Sequence, residues 1–149
     1  IPQLYYGTEV LMNGTKQVTD GNVRKDFPGG FPGDTRSCFT TEGRTKAEND
    51  MFRWTARLLH WRQGNEVITK GKQTQFIPQN GVYVVARSYN GKNVMTVING
   101  TSKAATMKAE RYAEIIGDAQ EATNILTGHK INISKDVKLA PRGVMVLEF

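Results

Sequence analysis

The chain has 149 residues, 38% of them hydrophobic, with a mean hydropathy of -0.47, a formal charge of +6 and a pI near 9.6. No apolar run approaches the roughly 20 residues that cross a bilayer, and a single cysteine, Cys38, excludes an intramolecular disulfide. The 20 Lys and Arg residues are scattered, with no block of like charge and no basic, aromatic-interleaved motif, so neither a nucleic acid nor a membrane is expected as a partner.

Residues 1–43 read as one strand and one long loop. Ile1-Pro2-Gln3-Leu4-Tyr5-Tyr6 has the apolar content of a buried strand and runs directly into Gly7, Thr8 and Glu9. A strand meeting a glycine turn and a carboxylate with no polar lead-in is expected inside a domain, so the chain is expected to be the tail of a longer enzyme. A lone strand cannot satisfy its backbone donors and acceptors without neighbours. A loop rich in Gly and Pro follows, and a structureless loop of that length is usually functional.

Residues 44–65 read as a helix. Thr45-Lys46-Ala47-Glu48 is a capping box, in which hydroxyl and carboxylate satisfy the first free amides. Met51, Phe52, Trp54, Ala56, Leu58, Leu59 and Trp61 then fill a broad apolar face, with Trp54 and Trp61 expected in a core. Arg62 suits the negative end of the helix dipole, and Gly64 is expected to stop the helix in a left-handed conformation.

From residue 66 the hydrophobic period changes to two. Strands are expected at 73–77, 82–89, 92–98, 122–126, 130–133 and 143–149, with 110–116 a short helix or an irregular strand. Asn90-Gly91 between two of these runs is the strongest short-range hairpin signal, and Asn99-Gly100 and Gly128 are further turn signals. Such a series of short strands predicts an antiparallel β-sandwich of Greek-key type. The expected fold is therefore mainly β, with domains at 1–65 and 66–149.

Several residue patterns carry little chemistry. His60 falls in the helix and His129 in a Gly-His-Lys turn, so the two histidines offer Cys38 little as a basic partner, and neither a metal site nor a catalytic thiol is expected. Asn13-Gly14-Thr15, Asn99-Gly100-Thr101 and Asn132-Ile133-Ser134 match the glycosylation sequon, a pattern that also arises by chance.

Pro2-Gln3-Leu4-Tyr5-Tyr6-Gly7-Thr8-Glu9 resembles the last barrel strand of the α-amylase family of glycoside hydrolases, whose pattern there is Pro-x-x-Tyr-Tyr-Gly-x-Glu. In that family a substrate-facing loop with an Asp-Pro-x-x-Arg motif follows, then the last barrel helix and a C-terminal β-domain. Asp20 and Arg24 stand at the matching spacing, with Gly21 in place of the usual Pro, and the helix ends on the family's Leu-Leu-x-x-Arg pattern at Leu58, Leu59 and Arg62. Arg24-Lys25-Asp26-Phe27-Pro28-Gly29-Gly30 is similar to the neopullulanase and cyclomaltodextrinase branch.

The resemblance implies that residues 1–65 are the end of a (β/α)8 barrel, one strand, long loop and one helix, and that 66–149 are the C-terminal sandwich. It implies a parent enzyme that cleaves α-1,4 linkages with retention, acting on an α-glucan or a cyclodextrin. It also implies that none of the family's catalytic segments is present here, so no catalytic residue is assigned and the chain alone is expected to be inactive. Asp20 and Arg24 are implied to hydrogen-bond a glucose unit, the alternative being an Asp–Arg salt bridge that only orders the loop. Tyr6, Gly7 and Glu9 are implied to be structural at the strand end. Phe27, Phe31 and Phe39 either stack on sugar or anchor the loop. No cofactor and no metal are expected; self-association is expected if the first 65 residues are ordered. The alternative function is a free-standing, non-catalytic carbohydrate-binding β-sandwich.

Overall fold

The structure, a computed structural model, describes residues 3–149, so Ile1 and Pro2 of the expected first strand lie outside the described residues. The chain divides into two compact units, Ile1–Trp61 and Arg62–Phe149.

In the first unit, Gln3–Tyr6 form no strand. Thr8–Val10 and Gly21–Val23 are short 3₁₀ turns, and the only longer element among the described residues is helix α1, Lys46–Gln63. The missing strand has a simple cause: extended backbone is held by a neighbouring ladder, and residues 3–6 have none. The capping box forms as expected. Thr45 N donates to Glu48 Oε2 at 2.7 Å, and Glu48 N donates to Thr45 Oγ1 at 3.3 Å. Two expectations for α1 fail. No residue of the helix is fully buried and Trp54 is 41% exposed, because periodicity marks an apolar face without supplying the surface that covers it. Gly64 does not adopt a left-handed conformation. Instead Asn65 starts a second helix at once, and its Oδ1 accepts from Val67 N and Ile68 N.

The second unit holds that short helix, α2 (Glu66–Lys70), and eight strands: β1 Lys72–Gln75, β2 Val82–Tyr89, β3 Lys92–Asn99, β4 Ala105–Met107, β5 Glu121–Asn124, β6 Lys130–Asn132, β7 Val137–Leu139 and β8 Val144–Glu148. One sheet has the order β1-β2-β3-β8-β5-β6, the other is β4-β7, and every pairing is antiparallel. The last strand thus returns to lie between β3 and β5. With β5-β6 adjacent and β7 in the second sheet, this is the Greek-key arrangement expected from the sequence. The six expected strands are all found, each within a few residues of its predicted ends; β4, β7 and α2 were not expected. A helical excursion, a 3₁₀ turn at Ala109–Tyr112 followed by α3 (Ala113–Ile116), links β4 to β5.

The core follows from strand alternation. Val82, Val84 and Ala86 of β2 point inward with Met95 and Val97 of β3 and Leu147 of β8. They meet Met107, Val137 and Leu139 of the small sheet, and Tyr112 and Ile116 from the excursion. Phe76 lies edge-on to Tyr112 with ring centroids 4.9 Å apart. Val94 and Val146 alternate away from this core and are buried all the same; Val67 and Ile68 of α2, which packs on β2 and β3, are buried with them outside the main cluster. Asn65 Nδ2 ties α2 to β8 through Glu148 Oε1 at 2.7 Å.

Two Asn-Gly turns close hairpins with both residues at positive φ, as a tight turn matching strand twist requires: Asn90-Gly91 at 50° and 73°, and Asn80-Gly81 at 50° and 76°. The first was expected; the second closes the bridge between Gln79 and Val82.

Candidate functional site

The implied site residues all lie in the first unit, where the backbone coils about Gly7. Gly7 sits at φ 84°, and its carbonyl accepts from Val10 N and Met12 N at 3.1 and 2.9 Å. A Cβ at Gly7 would run into the Met12 side chain, so glycine is required there both for its φ and for space. This coil presents Tyr5 and Tyr6 side by side, with ring centroids 4.6 Å apart and tilted by 40°.

A hydrogen-bonded path links the coil to the loop carrying Asp20 and Arg24. Tyr6 Oη donates to Lys25 O at 2.9 Å, and Lys25 Nζ donates to Asn13 O at 3.2 Å. Asn22 Oδ1 accepts from Thr15 N at 2.7 Å, and Arg24 N closes the 3₁₀ turn onto Gly21 O at 3.0 Å. Between them lies a cleft of about 290 Å³, lined by the two tyrosines, Thr8, Met12, Asn13 and Lys25 among others. The Tyr6 phenol is pushed above its usual pKa, first by its hydrogen bond with Tyr5, then by desolvation and the negative charges of Tyr5 and Asp26, with Arg24 opposing. Arg24 and Asp26 therefore act electrostatically on the Tyr6 ring, although 18 positions separate Arg24 from it in sequence.

Asp20 and Arg24 do not pair with each other. Asp20 caps the 3₁₀ turn without a side-chain bond, and its carboxylate lies 3.8 Å from Lys16 Nζ in an exposed, solvated contact. The Arg24 guanidinium has no hydrogen-bond or ion-pair partner among the described residues, and the side chain stands exposed. Glu9 is half-buried on the first 3₁₀ turn and likewise engages no partner among the described residues.

The remainder of the loop, expected to be structureless, is folded onto the first turns of α1. Arg36 grips Glu48 with both terminal nitrogens, at 2.7 and 2.9 Å, and also reaches Gly43 O. The Arg44 guanidinium lies 4.0 Å over the Phe52 ring while donating to Cys38 O, Asn49 Oδ1 and Thr41 Oγ1. Asp34 Oδ2 accepts from Gly29 N and Phe31 N, and Phe27 and Phe39 meet with centroids 4.7 Å apart. Cys38 is enclosed inside this loop, in line with a passive thiol. Phe31 and Phe39 remain exposed at 58% and 66%. Neither arginine was singled out in the sequence. The one available signal was Glu48 itself, whose capping role uses one carboxylate oxygen and leaves the other for a partner.

The described residues contain no group of three or more His, Cys, Asp or Glu side chains able to hold a metal ion, and no helix long and apolar enough to cross a membrane.

Residues 73–148 match the family model of the cyclomaltodextrinase C-terminal domain. A cyclomaltodextrinase from Thermoanaerobacter pseudethanolicus is 28% identical over 103 residues, which is 69% of this chain and 15% of that enzyme. Among solved structures, the α-amylase from Geobacillus thermoleovorans, complexed with acarbose, superposes with a TM-score of 0.66 at 20% identity, covering 97% of this chain and 28% of that one. The maltogenic amylase from S. marinus gives 0.60 at 14% identity, covering 97% of this chain and 16% of its own. The chain thus spans well under a third of the length of these relatives, and the likeness to the solved structures is one of fold. The family match falls in the second unit, far along the chain from the Tyr-Tyr-Gly and Asp-x-x-x-Arg motifs that first pointed to the same enzymes. The chain belongs to the cyclomaltodextrinase C-terminal domain family, a β-domain carried by α-amylase-family glycoside hydrolases.

Proposed function

We propose that this chain serves an α-glucan-acting retaining glycoside hydrolase of the cyclomaltodextrinase or neopullulanase type, as its C-terminal β-domain together with a substrate-contacting loop. In this reading Asp20 and Arg24 hydrogen-bond one glucose unit, Asp accepting from vicinal hydroxyls and Arg offering a planar fork of donors. Tyr6, Gly7 and Glu9 shape the segment that presents them. The observation that carries the reading is the state of Arg24. A loop-ordering salt bridge would use its guanidinium on Asp20, whereas here it is exposed and unpaired among the described residues, and its charge acts on Tyr6. The acarbose bound to the Geobacillus amylase is consistent with a glucan-like ligand for this fold.

Retaining hydrolysis needs a nucleophile and an acid/base about 5–5.5 Å apart, and the motifs of this chain supply neither, so it does not turn over substrate alone. The pure chain should release no reducing sugar from maltoheptaose or β-cyclodextrin, and sustained turnover would overturn the assignment. In an enzyme carrying this segment, Arg24→Ala should raise KM for maltooligosaccharides about tenfold, the loss of about 1.4 kcal/mol of binding. Arg24→Lys should rescue it poorly because the planar fork is gone. A salt-bridge role would instead lower Tm equally for Asp20→Asn and Arg24→Ala and leave KM unchanged.

A further inference from the structure

Asn-Gly occurs four times in the chain, at Asn13-Gly14, Asn80-Gly81, Asn90-Gly91 and Asn99-Gly100, and the fold treats the four very differently. This dipeptide can modify itself. The glycine backbone nitrogen, once deprotonated, attacks the asparagine Cγ, ammonia leaves, and a five-membered succinimide forms. Water then opens the ring at one carbonyl or the other, giving aspartate or isoaspartate. The reaction needs a free carboxamide, an available glycine N–H and a backbone that lets Cγ approach that nitrogen.

Three of the sites fail one or more of these conditions. Asn99 is 1% exposed; its Nδ2 donates to Lys103 O and Ala140 O, and its Oδ1 accepts from Thr101 N and Thr101 Oγ1. Its would-be nucleophile, Gly100 N, is occupied by Gly81 O at 2.8 Å. Asn80 and Asn90 are exposed but locked at φ 50° in hairpin turns. In left-handed backbone, with ψ near +47°, the Cα–Cβ bond points away from the following nitrogen, and the carboxamide cannot reach it.

Asn13 is under none of these restraints. It is exposed, its backbone is not left-handed, and neither its carboxamide nor Gly14 N has a partner among the described residues. Lys25 Nζ donates to Asn13 O at 3.2 Å. That oxygen belongs to the same peptide group as Gly14 N, and it carries much of the negative charge when the N–H is lost. An ammonium there stabilises the amidate and makes the nucleophile more available.

We propose that Asn13–Gly14 is a self-modifying deamidation site, accelerated by Lys25, that places a carboxylate in the cleft beside Tyr5 and Tyr6. The isoaspartate product would also lengthen the backbone where Gly14 already abuts Asn22 O, so the cleft would change in shape as well as charge.

The test is peptide mapping by mass spectrometry, with isoaspartate detection, after incubating the whole chain at mildly alkaline pH. The Asn13 peptide should convert about tenfold or more faster than those of Asn80 and Asn90, while Asn99 stays intact; in denaturant the four should converge. Lys25→Gln should slow Asn13 alone by roughly threefold to tenfold, allowing for solvent screening of the charge, and Lys25→Arg should preserve the rate. Conversion at Asn80 or Asn90 as fast as at Asn13 would overturn the proposal. So would an unchanged or increased Asn13 rate in Lys25→Gln.

Discussion

Asn99 shows how much one side chain can hold. It is one of two buried polar residues of the β-domain, with Asn124, and it makes two donor and two acceptor bonds that join the end of β3 to the 101–103 turn and to Ala140. Asn99→Ala would leave Thr101 N without its acceptor and break the ties to Lys103 O and Ala140 O, which keep Thr101 Oγ1 and Gly143 N as donors. The loss should be about 1–3 kcal/mol, read as a lower urea midpoint at unchanged m-value. The sequence marks Asn99-Gly100 only as a turn signal. That the asparagine would become a buried hub depends on Ala140, 41 positions away, which no local pattern reports. Arg24 is the converse case: its position was legible from its spacing to Asp20, but its freedom from Asp20 was not.

At the scale of elements, the start of α1 joins a local signal to a remote one. The capping box at Thr45 and Glu48 is readable from four residues, whereas Arg36 reaches Glu48 from outside the helix. The Arg36 guanidinium first, and then the Thr45 backbone N–H, hold the Glu48 carboxyl down to about 2 from an ordinary 4.5. A carboxyl depressed in the folded state stabilises fully above its unfolded pKa, and that contribution is lost as pH falls through the folded value. The packing of loop 27–44 on α1 should therefore be insensitive to pH above about 5 and weaken as pH falls from about 4.5 toward 2. Glu48→Gln should remove that dependence, with hydrogen exchange at Cys38 and Gly43 as the readout. A wild-type loop that keeps full protection at pH 2 would contradict this role for the pair. The opening segment and Trp54 show the limit of pattern reading. Apolar content predicted a strand and a core tryptophan, yet both states need a second surface, and Gln3–Tyr6 and Trp54 lack one among the described residues.

At the scale of the molecule, the two units differ in how they are held. The second has a continuous core drawn from both sheets and the 109–116 excursion, with Met95, Met107, Ile133 and Leu147 sealed from solvent. The first is held mainly by hydrogen bonds and ion pairs around its loops, which open locally at lower free energy than a packed core. Limited proteolysis should therefore cut within residues 3–61 and leave a resistant fragment starting near residue 66. Early cleavage inside 72–149 would argue against an autonomous β-domain.

The sequence by itself determined the features that live in a few adjacent residues: six of the eight strands, from their period of two; the hairpin at Asn90-Gly91, from turn chemistry; the start of α1, from its capping box; and the family, from short motifs in order. Only the tertiary structure decided which strands are neighbours, with β8 between β3 and β5, and that β4 and β7, three residues each, form the second sheet. It alone placed Tyr6 against Lys25, Arg36 on Glu48 and Lys25 on the Asn13 carbonyl. The physical reason is the same throughout. Propensity, capping and turn geometry act within a few bonds of a residue, whereas pairing, burial and charge contacts depend on groups that only the folded chain brings together.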